Sequence, residues 1–197
     1  MKEIIKDSLS KAITYAEYRT LVSELLVEGK STGDTQSEAL YKYSLLNDRR
    51  MKRLDKTSKI SEETEEHLVN LQSPQTWLVI TEGWCGDAAQ NLPVLNKLAD
   101  NNESVDLKVV LRDENLELMD KFLTNGGRSI PKLIALDEEK NVLFTWGPRP
   151  SIATKMIADY KEENGVVDAV IKEELQVWYN KNKGNNVQED IISLLSN

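Results

Sequence analysis

The chain has 197 residues, 40% hydrophobic and 29% charged, which is enough to build a substantial core for one domain or one domain with an extension. Its net charge of −8 argues against a general nucleic-acid binder and a peripheral protein of anionic membranes, which need a basic excess; small molecules and other proteins remain as partners. One cysteine and one histidine exclude an internal disulfide and leave a zinc site to carboxylates, so neither a metal nor a cofactor is expected.

The start, Met1-Lys2-Glu3-Ile4-Ile5-Lys6-Asp7, lacks the apolar stretch of a signal peptide, and no later run suits a membrane span. Together with the single cysteine, this predicts a cytoplasmic protein. Residues 1–72 carry helical spacing: Tyr15, Tyr18, Val22, Leu25 and Leu26 precede Gly29, and Lys30-Ser31-Thr32-Gly33-Asp34 reads as a linker. The next helix, 36–56, is expected to bury Leu40, Tyr43, Leu46, Met51 and Leu54, with Lys42, Arg49, Lys52, Arg53 and Lys56 on a solvated opposite face. Ser61 followed by Glu62, Glu63, Glu65 and Glu66 predicts an N-cap and a short helix to Leu71. His67 has no partner nearby in sequence and receives no chemical role.

From Gln75 the pattern becomes strand 76–81, helix 87–100, strand 105–111, helix 115–124, strand 131–136 and strand 142–146. The helical connections predict that the first three strands are parallel, and the short segment between Leu136 and Val142 predicts an antiparallel hairpin. Helices 151–163, 166–181 and 187–195 follow, the last with Asn186 as the expected cap and Glu189 three residues on.

The chemistry concentrates in Trp84-Cys85-Gly86-Asp87-Ala88-Ala89-Gln90-Asn91-Leu92-Pro93-Val94-Leu95, where a strand ends and a helix begins beside the cysteine. Free N–H groups and the positive end of a helix dipole favour a thiolate there, whereas the Asp87 carboxylate opposes it by like-charge repulsion. A buried, inert thiol is the alternative. Residues alone likewise leave Trp84 as a cap of the sheet and Pro131 as a trans proline opening a strand.

Trp84-Cys85-Gly86, with Pro93 eight residues after the cysteine, resembles the active-site helix of the thioredoxin family. Gly127-Arg128-Ser129-Ile130-Pro131, leading into Lys132-Leu133-Ile134-Ala135-Leu136, is similar to that family's cis-proline loop. The resemblance spans 75–163 and implies an α/β thioredoxin-like fold: a mixed sheet flanked by helices. The expected organisation is a helical N-terminal extension (1–72) packed on the core, the core itself (73–163) and a C-terminal helical extension (164–197). It further implies that Cys85 is the catalytic cysteine, that Trp84, Asp87, Ile130 and Pro131 flank or bind substrate, and that the backbone of Ile130 pairs with an extended peptide.

Two departures narrow the analogy. Ala88 stands where dithiol thioredoxins carry the resolving cysteine, so no intramolecular disulfide forms; Val79, six residues before Cys85, stands where they resemble one another in carrying a buried acid. Cys85-Gly86-Asp87-Ala88 also differs from the Cys-Gly-Phe-Ser signature of cluster-binding monothiol glutaredoxins, so no cluster is expected. One reading is a monothiol redox protein acting on an oxidised protein or small thiol or disulfide, its adduct resolved by an external thiol, with Arg128 and Lys132 offsetting Asp87 and attracting an anionic thiol such as glutathione. The other is a redox-inactive thioredoxin-fold module that binds a peptide or protein. A scaffold built on the flanking helices is a third reading, without a specific motif behind it.

Overall fold

The structure is a computed structural model and describes residues 1–196; Asn197, the last residue of the expected C-terminal extension, lies outside the described residues. Helices α1 (Lys2–Ser10) and α2 (Tyr15–Val27) open the chain. A reciprocal cap separates them: the Glu17 N–H donates to the Thr14 hydroxyl while the Thr14 N–H donates to the Glu17 carboxylate. Just before that cap, Ile13 pairs antiparallel with Val109 and so covers part of an exposed sheet edge.

Helix α3 (Glu38–Thr57) is capped by Ser37, and α4 (Glu62–Val69) by the expected Ser61, whose hydroxyl accepts from the Thr64 N–H. The stripe that α3 buries differs from the expected one. Met51 and Leu54 are inside, but Tyr43 and Leu46 are 59% and 44% exposed, and Ser44, Asn47 and Asp48 face inward instead. Those polar side chains find partners that an apolar count cannot foresee: the Ser44 hydroxyl meets Ser31, Asn47 reaches the backbone of Gly83, and Asp48 pairs with Arg19. The expected basic face is solvated, with Lys42, Arg49, Lys52, Arg53 and Lys56 all exposed.

Strands β1 (Gln75–Thr81), β2 (Val105–Leu111), β3 (Lys132–Leu136) and β4 (Val142–Trp146) form one mixed sheet in the order β2-β1-β3-β4. β1 and β2 are parallel, joined through α5 (Gly86–Asp100). β3 corrects the expectation of a third parallel strand: it runs antiparallel to β1, with Ile80 opposite Lys132. The expected helix 115–124 is in fact the single turn α6 (Leu116–Met119). Without a helix long enough to run back along the sheet, the connection stays at the end where β2 stops, and Lys132 enters the sheet opposite Ile80, whose other neighbour is Val110. The chain re-enters where β2 left off and runs back. The β3–β4 hairpin is antiparallel as expected.

Period-two alternation along β1 assigns its side chains to two cores. Trp77 and Val79 join Tyr18, Val22, Met51, Leu92, Leu95 and Val187 in one; Leu78 and Ile80 join Ile5, Leu118, Met119 and Ile134 in the other, which also holds Cys85 and Ala88. The helices before β1, with α5 and the last helix of the chain, therefore share cores with the sheet.

The C-terminal helices are α7 (Ser151–Asn164), α8 (Ala169–Asn182) and α9 (Asn185–Leu195). α8 begins three residues later than expected because Asp168 caps it, accepting from the Val170 and Ile171 N–H groups. α9 is led by Gly184 in the left-handed region, not by Asn186. Asn186 instead ties α9 to α7, its Oδ1 accepting from the Ile152 N–H and its amide donating to the Ser151 hydroxyl and to Glu189.

Candidate functional site

β1 ends at Thr81, and Glu82-Gly83-Trp84-Cys85 turns the chain into α5, whose N-cap is Cys85. Both backbone groups of Gly83 are held by the N-terminal helical region: its N–H donates to the Thr32 hydroxyl (2.8 Å), and its carbonyl accepts from the Asn47 amide (3.0 Å). Asn47 is fully buried, so Asn47→Ala strands the Gly83 carbonyl in the interior. We expect it to lower stability by about 1–3 kcal/mol in urea unfolding and to loosen amide-exchange protection through the 83–86 turn.

Cys85 is 8% exposed. Its Sγ accepts from the Ala88 N–H at 3.4 Å, and its thiol proton is directed at the Ile130 carbonyl oxygen, 3.2 Å away. Burial pushes the thiol up to about 12, and the Asp87 carboxylate adds to the rise; the Ala88 and Asp87 N–H groups and the Arg149 guanidinium pull it down without reversing it. Desolvation and a near carboxylate thus outweigh the helix N-terminus, and Cys85 is a neutral thiol at ordinary pH.

The expected substrate-binding residues fall into two groups. Ile130 and Pro131 are buried beside Cys85, and the Ile130–Pro131 peptide bond is cis. Trp84, half-buried against the same core, carries the Arg112 guanidinium over its ring at 4.8 Å. Asp87 turns the other way: its carboxylate is 12% exposed and lies 2.7 Å from the Arg149 guanidinium, and it also accepts from the Tyr179 hydroxyl at 3.0 Å. Burial pushes the Asp87 carboxyl up, while Arg149, then Tyr179 and Arg50, oppose the rise. Arg128 and Lys132 do not supply the offsetting charge expected of them. Arg128 chelates Asp120 with bonds of 2.7 and 2.8 Å, and Lys132 donates to the Thr124 hydroxyl.

Three residues escaped sequence reasoning. Arg149 and Tyr179 are far from Asp87 in the chain and carry no local motif; Tyr179 also takes a hydrogen bond from the Asn91 amide, so α8 covers the first turns of α5. Glu82, three residues before Cys85, is a fully buried acid whose Oε1 accepts from the Asp113 N–H, whereas Val79 is packed in the core that does not contain Cys85. Burial pushes the Glu82 carboxyl up, with the Thr32 hydroxyl and the Asp113 N–H opposing. A Glu beside the motif was the available signal.

Gly147 closes the site from below. Its φ is +108°, and a Cβ there would collide with the Pro131 carbonyl oxygen. Gly147→Ala is expected to cost about 2–4 kcal/mol in urea unfolding and to shift the backbone resonances of Ile130 and Pro131's neighbours.

Among the described residues no group of three or more His, Cys, Asp or Glu is placed to hold a metal ion, and no helix is long and apolar enough to cross a membrane. A comparison with curated proteins finds no match. Two solved structures share the fold over 93% of this chain and 98% of their own: a protein of unknown function from Pseudomonas aeruginosa, 18% identical with a TM-score of 0.60, and an HIV epitope-scaffold, 17% identical with a TM-score of 0.58. Identities this low speak for the fold alone. The family model described as thioredoxin matches residues 33–161, well over half of the sequence and including both Trp84-Cys85-Gly86 and the Ile130–Pro131 loop. The chain belongs to the thioredoxin family.

Proposed function

We propose that this protein is a thioredoxin-fold binding module of a reducing cytoplasm, in which Cys85 stays a thiol and the surface around Trp84, Ile130 and Pro131 receives an extended segment of a partner protein. The observation that carries this reading is the state of the cysteine: Cys85 is 8% exposed, and its proton is engaged by the Ile130 carbonyl. A nucleophilic role needs the thiolate, and burial together with Asp87 opposes its formation. Ala88 removes the internal resolving thiol, so a mixed disulfide would persist until an external thiol arrived.

One observation favours the monothiol redox reading as a second. The Ala88 N–H already points at Sγ from the first turn of a 15-residue helix, so a partner that opened the Cys85–Ile130 contact would leave the sulfur facing helix donors.

Peptides selected from a displayed library separate the two readings. On the binding reading, wild type and Cys85→Ser select the same sequences with affinities within about twofold, because serine keeps a donor for the Ile130 carbonyl. Glutathione-dependent reduction of a small disulfide faster than free cysteine achieves, lost in Cys85→Ser, would establish the redox reading instead.

A further inference from the structure

A groove runs past Trp84, Gly86 and Asp87, built by elements that flank the sheet. α3 supplies Tyr43, Leu46 and Arg50, the turn into α5 supplies Trp84, and α8 supplies Lys172 and Leu175. Its volume is about 400 Å³, within the range of small-ligand sites. Its apolar wall explains a departure already noted: Tyr43 and Leu46 belong to the hydrophobic stripe of α3, yet the fold leaves both exposed, aimed into this groove.

The charge of the groove runs against that of the chain. Arg149 takes the ion pair with Asp87, which leaves Arg50, drawn only at longer range to that carboxylate, and the exposed Lys172 as the groove's cations without an ion-pair partner, on a protein of net charge −8. Among the described residues neither has an acidic partner within ion-pair distance, and Arg50's guanidinium has one neutral contact, to the Asn47 carbonyl oxygen at 3.0 Å. Arg50 is half-buried; burial and the neighbouring Arg53 work against its positive charge, and the more distant Asp87 carboxylate only partly offsets them. A partly desolvated cation that makes no ion pair, facing an aromatic and aliphatic wall, is complementary to an anion carried on a short apolar body.

We propose that this groove is a binding site for a small organic carboxylate, its apolar body against Tyr43, Leu46, Trp84 and Leu175 and its carboxylate between Arg50 and Lys172. The groove borders the Cys85 surroundings through Trp84 and Asp87, but its occupancy requires no reaction at Cys85 and no partner beside Pro131.

Phenylbutyrate and its uncharged amide, phenylbutyramide, are suitable probes, read by the indole N–H resonance of Trp84 after its assignment with Trp84→Phe. The acid is expected to shift that resonance saturably with a Kd on the order of 1 mM, as a ligand of this size allows, and the amide at least about fivefold more weakly. Arg50→Gln with Lys172→Gln is expected to erase the difference between acid and amide; Lys172→Glu, a fully surface substitution, is expected to weaken the acid alone by about threefold or more. Equal binding of acid and amide to the wild type, an acid preference that survives in the double variant, undiminished binding of the acid in Lys172→Glu, or shifts centred on another tryptophan would overturn the assignment.

Discussion

Toward a small aromatic disulfide near pH 7, folded Cys85 is expected to react at least about 30-fold more slowly than free cysteine. A thiol moved from 9.0 to about 12 carries about a thousandfold less thiolate at any pH below both values. The thiolate that remains is more basic, and with a Brønsted slope of about 0.4–0.5 it is about 15–30-fold more nucleophilic, which recovers part of the loss. Burial slows the attack further. The rate should keep climbing with pH past about 10, with no plateau near pH 6–7. A plateau there, or a rate above that of free cysteine, would return Cys85 to the activated thiolates and reinstate the redox reading.

The same proton gives a stability test with a definite sign. The folded-state pKa of Cys85 lies above the unfolded one, so its contribution is complete below about pH 9 and is lost as pH rises toward about 12. Cys85→Ser, which cannot titrate there, should therefore lose less stability than wild type between about pH 8 and 10.

Arg149→Met is expected to destabilise the protein by about 2–4 kcal/mol near pH 8. It leaves the Asp87 carboxylate 12% exposed with only the Tyr179 hydroxyl as a close partner, and an uncompensated buried charge costs more than the pair contributes. Arg149 itself is 29% exposed and keeps water when the pair is broken from the other side, so Asp87→Asn should cost less. The pH dependence distinguishes lost charge from lost packing. Burial already holds the folded carboxyl above its ordinary value, and removing Arg149 raises it further. The folded state then binds the extra proton, so the penalty is full above that raised pKa and fades as pH falls toward the unfolded value of about 3.9. Urea midpoints measured at about pH 8 and pH 5 should therefore converge on wild type at the lower pH. A gap that is constant with pH would mean that Arg149 acts through packing alone, and Asp87→Asn combined with Arg149→Met should recover most of the loss if it does not.

Residues close in sequence were read well, because they act through local rules. Ser61 has Thr64 three residues on and four glutamates behind it, and it caps α4. Trp84-Cys85-Gly86 follows an apolar run and precedes Pro93, and it lies at a strand-to-helix turn with Cys85 as the cap. Failures follow a different pattern. Tyr43 and Leu46 have the correct helical period to be buried, but they line an open groove and stay exposed. Asn47, polar by any scale, is inside because Gly83 needs a donor there. The helix dipole at Cys85 was visible in the motif, whereas the depth of burial that overrides it was not.

What the amino-acid sequence determined by itself is the order of elements from β1 onward, the placement of Cys85 at the head of α5, the loss of a resolving thiol at Ala88, and the pairing of two motifs that belong to the thioredoxin family. Hydrogen-bonded turns, caps and period-two or period-3.6 patterns are properties of a few adjacent residues, so they are written locally. Tertiary structure alone decided the antiparallel course of β3, the partnering of Asp87 with Arg149 and Tyr179, and the protonation of Cys85. Each depends on which distant segments exclude water from a charge or close a path through space, and desolvation is a property of the assembled fold.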